Sequence, residues 1–105
     1  MKTQLLWFQG CPSHEEARLQ LRRVLAEAGV GDRFDDIDAT DPSVARELRF
    51  SGSPTIRVNG VDIEPGFADP GDYTPRCRLY STEQGLRGLP KREWIEAGLG
   101  RSAAE

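Results

Sequence analysis

The run Leu5-Leu6-Trp7-Phe8, broken by Gly10-Cys11-Pro12 and followed at once by a helical stripe, constrains the fold more than any other feature. Four consecutive apolar residues read as a short strand covered on both faces, because successive strand side chains point to opposite sides. The strand candidate spans Thr3 to Phe8. Ala17, Leu21, Val24, Leu25 and Ala28 then recur at helical steps. Ser13 and Glu16 stand at capping-box spacing before that stripe, and Gly29 stands where a C′ glycine ends it. A strand passing directly into an amphipathic helix opens an α/β unit, with Cys11 at the turn between them.

The rest of the chain continues the alternation. Arg33 to Ala39 is a weaker strand candidate, since Phe34 and Ile37 do not alternate cleanly. Asp41-Pro42 marks a helix start, with aspartate at N-cap and proline at N1. Val44, Ala45 and Leu48 form its apolar face, and Gly52 is expected to stop it. Thr55-Ile56-Arg57-Val58 and Val61-Asp62-Ile63 flank Asn59-Gly60, a type I′ hairpin signal. Residues 64–76 (EPGFADPGDYTPR) read as a loop. Arg76-Cys77-Arg78-Leu79-Tyr80 alternates and suggests an extra short strand, followed by a second glycine-containing loop. Pro90 opens a last helix through Trp94, Ile95 and Leu99, ended by Gly98 and Gly100, with Arg101 to Glu105 as a frayed tail. The predicted order is β-α-β-α-β-β-α in one α/β domain over residues 1–105, with an extended loop after the hairpin.

Composition excludes several classes of function. Hydrophobic residues at 37% and charged residues at 30% suit a folded globular chain. A net charge of −3 supplies no basic excess for nucleic acid. No apolar run approaches a membrane span, and the first eight residues lack the apolar region and cleavage site of a signal peptide. The expected location is therefore cytoplasmic. Cys11 and Cys77 are too few for a disulfide scaffold, so each is either a packing residue or chemistry. No paired-carboxylate site, phosphate loop, zinc-ligand spacing or Ser-His-Asp set is recognisable, and no cofactor or resident metal is expected.

Gly10-Cys11-Pro12 at a strand-to-helix turn and Gly52-Ser53-Pro54-Thr55 ahead of an Asn-Gly hairpin resemble the thioredoxin-like fold, in its thioredoxin and glutaredoxin-like members. The resemblance covers roughly residues 2–63 and again 90–99, and the active-site turn here reads Cys-Pro-Ser-His, with His14 where a dithiol enzyme carries its second cysteine. It implies a cis Pro54 facing the thiol, with Pro12, Ser53, Pro54 and Thr55 presenting an extended substrate to it. It also implies that Cys11 lies at a helix N-terminus, where dipole and free amides favour the thiolate. In that topology the loop after Ile63 emerges at the thiol's end of the sheet, within reach of Cys11. A fainter likeness, in Cys77, Leu79-Tyr80, Gly85, Gly88 and a closing helix, is to the second cysteine region of alkylmercury lyases. That family uses two cysteines and an aspartate, for which Asp69 and Asp72 are candidates.

Each candidate carries a plainer alternative. Cys11 is a reactive, exposed thiol, or a small packing residue. His14 is a proton partner or stabilising cation for Cys11, or an exposed first-turn residue without a role. Cys77 is a resolving thiol for Cys11, or one half of a two-thiol clamp for mercury or copper(I), or it packs inward with Leu79. Trp7 and Trp94 read as core aromatics, while Phe67 and Tyr73 line a cleft or anchor their loop. The leading expectation is a thiol-disulfide oxidoreductase acting on a thiol or disulfide of a protein or small molecule. The others are a soft-metal or organomercurial protein and a non-catalytic binding module. No nucleic-acid or membrane partner is expected.

Overall fold

The computed structural model describes residues 2–31 and 33–104. Its main sheet has the order β2-β1-β3-β4, built from β1 (Thr3–Trp7), β2 (Asp35–Asp38), β3 (Thr55–Val58) and β4 (Val61–Asp62). β1 and β2 run parallel, with Leu6 opposite Ile37. β3 runs antiparallel to β1, with Leu5 opposite Ile56, and β4 returns antiparallel to β3. Three helices cover this mixed sheet: α1 (His14–Glu27), α2 (Pro42–Glu47) and α3 (Arg92–Ala104). A two-stranded hairpin, β5 (Tyr80–Thr82) and β6 (Gly85–Arg87), stands apart from the sheet. Among the described residues, no helix is long and apolar enough to cross a membrane.

The apolar run of β1 divides between two cores. Leu5 packs with Ala17, Leu21, Val24 and Leu25 of α1, Ile56 and Val58 of β3, and Ile95 and Leu99 of α3. Leu6 points the other way, to Ala39, Ala45 of α2 and Phe50. The parallel β1-α1-β2 crossover and the hairpin at Asn59-Gly60, where both residues have positive φ (51° and 79°), follow the sequence expectation. Asp41 caps α2 by accepting a hydrogen bond from Ser43 N at 2.8 Å.

Several boundaries differ from the expectation, each for a physical reason. The Ser13–Glu16 capping box does not form: Ser13 is the N-cap but has helical dihedrals and makes no side-chain cap hydrogen bond. Its hydroxyl lies against Gly88 instead, where an added Cβ would sit 2.6 Å away. Gly52 does not end α2. Leu48 ends it, Arg49 turns to φ 54°, and Arg57 from β3 donates to the Leu48 and Arg49 carbonyls at 2.7 Å each. Gly98 and Gly100 do not end α3, which runs through both to Ala104. A Cβ at Gly98 would lie 3.1 Å from Ile63, so this glycine lets α3 approach the sheet. Arg101 to Ala104 are thus helical rather than a frayed tail, and Glu105 lies outside the described residues. The predicted strand at 76–80 begins only at Tyr80.

β2 (DDID) is a largely exposed edge strand, anchored by Ile37 against the Leu6 core and by charge at Asp36. Asp36 accepts hydrogen bonds from Arg18 Nε at 2.6 Å and Trp7 Nε1 at 2.5 Å. The Arg18 hydrogen bond, helped by that from Trp7, holds the Asp36 carboxyl below the usual carboxylate range. A depressed carboxylate contributes stability above its unfolded pKa and loses it as pH falls through the folded one. Asp36→Asn is therefore expected to be less stable than the parent at pH 7, with the gap closing below roughly pH 4. Urea midpoints of the two proteins on either side of that pH check this; a gap independent of pH contradicts it.

Candidate functional site

The site is built where the turn after β1 meets the loop before β3. The chain turns back at Cys11, whose N–H donates to Phe8 O at 3.1 Å, and α1 begins with Ala17 N donating to Ser13 O at 3.0 Å. Between these, Ser13 N donates to Cys11 Sγ at 3.4 Å. The sulfur thus takes the N-cap amide that the Glu16 side chain would accept from in a capping box. Cys11 Sγ in turn donates to Ser53 O at 3.6 Å. These contacts enclose the thiol: Cys11 is buried at 4% exposure, against the expectation that it is exposed. The loop carrying Ser53 covers it, a contact between residues far apart in the chain. Pro12 beside it is exposed.

His14 does not address the sulfur. Its Nδ1 lies 2.8 Å from Cys11 O, the tautomer in which Nδ1–H donates. Its ring stacks on Trp7 with centroids 4.6 Å apart and planes 9° from parallel. Asp36 fixes Trp7, so His14 is the end of a chain Arg18–Asp36–Trp7–His14 that braces the first turn of α1. Among the described residues, its partners are that carbonyl, that ring and the Glu15 carboxylate.

The Ser53-Pro54 peptide bond is cis. Ser53, Pro54 and Thr55 are all buried, and Thr55 Oγ1 donates to Gly52 O at 2.5 Å. Ser53 Oγ is buried and, among the described residues, has no hydrogen-bond partner. The backbone groups of Ser53 are in use. Ser53 N donates to Arg76 O at 2.8 Å, Arg78 N donates to Ser53 O at 2.9 Å, and Cys77 is the residue bridged to Ser53 in parallel. The segment after the loop therefore does come beside the proline. Ser53 O receives Arg78 N from one side and the Cys11 thiol from the other. Both cysteines are free thiols, Cys11 buried and Cys77 exposed.

The alternation in 76–80 has the opposite phase to the packing alternative for Cys77. Cys77 and Leu79 face outward, and Arg78 and Tyr80 face inward. Arg78 Nη1 and Nη2 meet the two Asp62 carboxylate oxygens at 2.7 and 3.0 Å, and Nη2 also meets Glu64 at 3.0 Å. Nη1 reaches Thr55 Oγ1 at 3.1 Å, and the guanidinium lies over the Tyr80 and Phe67 rings. Burial works against this charge, but the Asp62 and Glu64 hydrogen bonds outweigh it and the Arg78 pKa is raised. Tyr80, fully buried, donates its hydroxyl to Pro54 O at 2.5 Å, and burial raises its pKa. Arg78, Asp62 and Tyr80 are the site residues that sequence reasoning missed. The one available signal was an arginine in phase with a tyrosine in an alternating run.

The two candidate acids of the loop are committed elsewhere. Asp69 accepts from Tyr73 Oη at 2.7 Å and from Arg49, and Asp72 accepts from Thr74 N at 3.0 Å. Both pKa values are lowered, chiefly by the Tyr73 and Thr74 hydrogen bonds respectively. A carboxyl held in its ionised form is a poor proton donor. No group of three or more potential metal ligands occurs among the described residues. No family model, no curated protein and no solved structure matches the chain.

Proposed function

We propose that this protein is a thiol-disulfide redox protein on a thioredoxin-like fold, with Cys11 as nucleophile and Cys77 as resolving thiol. The observation that carries the reading is the convergence of both cysteines on Ser53, the residue before a cis proline. Cys11 Sγ approaches its carbonyl at 3.6 Å, and Cys77 is bridged to its backbone. The sheet order β2-β1-β3-β4, with α1 between the parallel pair and α3 after the hairpin, supports the fold assignment. In the chemistry, the Cys11 thiolate attacks one sulfur of a disulfide RSSR and releases RS⁻. Cys77 then attacks the Cys11 sulfur of the mixed disulfide and releases the second thiolate, each leaving with a proton from water. Protein dithiol becomes disulfide as RSSR becomes two thiols. His14 supports this as a positioning residue, through the Cys11 carbonyl and the Trp7 stack.

Mild oxidation by a small disulfide is expected to give a monomer lighter by two hydrogens, with one peptide pair linking Cys11 to Cys77. Cys11→Ser and Cys77→Ser each abolish that species. An oxidised monomer carrying two separate adducts and no cross-link overturns the resolving role. Binding of one mercury(II) per chain with no disulfide turnover would instead favour a two-thiol metal site. Protonolysis of a carbon–mercury bond finds no free acid in Asp69 or Asp72.

A further inference from the structure

An extended peptide joins a sheet edge through a residue whose N–H and C=O are free to pair. At the proline loop that residue is Ser53, and neither group is free: the N–H serves Arg76 O and the C=O receives Arg78 N. Pro54 has no N–H, and its C=O receives the Tyr80 hydroxyl. The Gly52 C=O receives Thr55 Oγ1. The position an incoming peptide would take is held by the chain itself, with Cys77 at the bridged residue.

We infer that residues 76–78 are a built-in occupant of the peptide-pairing edge, so that the Cys11 site acts on small disulfides and rejects extended polypeptide. This rests on the reading of Cys11 as nucleophile given above. The occupant is fixed rather than loosely laid. Arg78 and Asp62 have side chains only 7% and 2% exposed, so lifting the segment would carry the guanidinium away and strand the Asp62 carboxylate in the interior. Tyr80, two residues on, is fully buried. Gly52 leaves the room for it, since a Cβ there would meet Arg78 Cβ at 2.8 Å. With Ser53 O shared between Arg78 N and the thiol, Cys11 keeps 4% exposure, which suits a small reagent and not a backbone. The specificity arises from occupation of the edge, a steric and hydrogen-bonding exclusion rather than a contact with substrate.

The test uses Cys77→Ser, so that Cys11 is the one thiol present and only the first attack is read. The same chromophoric leaving group, 2-nitro-5-thiobenzoate, is offered as its mixed disulfide with 2-mercaptoethanol and with the cysteine of a blocked, extended peptide. Rates are normalised to those of a free thiol. The small reagent is expected to react roughly tenfold faster or more than the peptide. In the parent protein, the Ser53 and Arg78 amides are expected to exchange slowly with deuterium. Equal normalised rates, or rapid exchange at both amides, overturns the occupancy inference and leaves Cys11 as a nucleophile. Silence toward both reagents in the folded protein, with reaction restored in denaturant, overturns the nucleophile itself and this inference with it.

Discussion

Replacing Arg78 with alanine is expected to lower the melting temperature by on the order of 20 °C, through a loss of about 3–5 kcal/mol. The size of the effect comes from what is left behind. The Asp62 side chain is 2% exposed and faces Arg78 through two hydrogen bonds, at 2.7 and 3.0 Å. Without the guanidinium, its carboxylate keeps only the Glu64 N–H at 2.9 Å and the Arg57 charge on the neighbouring strand, with no ion pair in contact and almost no water. Glu64 adds less, because its side chain is 26% exposed and can turn to solvent. The loss should also be visible as a loosened site, since Arg78 N and Thr55 Oγ1 tie the same residue to the proline loop. The paired change Arg78→Met with Asp62→Leu removes both charges and is expected to cost clearly less than Arg78→Ala alone. Thermal unfolding of the three proteins decides it. A single variant within about 1 kcal/mol of the parent would show that the pair is not buried in the sense argued.

How far the sequence disclosed this arrangement depends on the range of the interaction. Local chemistry was legible. Asp41-Pro42 starts α2, Asn59-Gly60 turns the hairpin, and the run Leu5-Leu6 feeds a core on each side of the sheet. Cys11, Ser53-Pro54 and Cys77 were legible as candidates from the residues around each. What escaped were choices made by distant partners. Ser13 and Glu16 have the right spacing, but Cys11 Sγ takes the Ser13 amide and the Ser13 hydroxyl lies against Gly88. Gly98 reads as a helix stop until the methyl of Ile63 shows why a small residue is wanted there. The alternation at 77–80 is plain in the sequence, but its phase is not. Hydrophobicity alone would turn Cys77 and Leu79 inward, whereas Asp62 and Glu64 draw Arg78 in and Leu79 is 61% exposed. The burial of Cys11 likewise follows from a distant partner, the Ser53 carbonyl 42 positions along the chain, an oxygen that Arg78 N shares.

Gly52 offers the second large effect, and one that separates stability from access. Its φ of +97° lies where residues with a Cβ are strained, and the Cβ of an alanine would meet Arg78 Cβ at 2.8 Å. Either fault alone costs about 1–3 kcal/mol, so Gly52→Ala is expected to lose roughly 2–5 kcal/mol in denaturant unfolding. Gly60 supplies the comparison. Its φ is +79°, but nothing lies within 4 Å of an added Cβ, so Gly60→Ala carries the backbone strain without the collision. That variant is expected to lose only about 1 kcal/mol. The relief available to Gly52→Ala is to push the backbone at Arg78 away, which lengthens its hydrogen bond to Ser53 O and uncovers the thiol that shares that oxygen. In a Cys77→Ser background, Cys11 alkylation by a bulky maleimide should therefore rise several-fold in Gly52→Ala and stay at the parent rate in Gly60→Ala. Equal alkylation rates in the two glycine variants, with Gly52→Ala still destabilised, would mean that the segment 76–78 is not what shields Cys11.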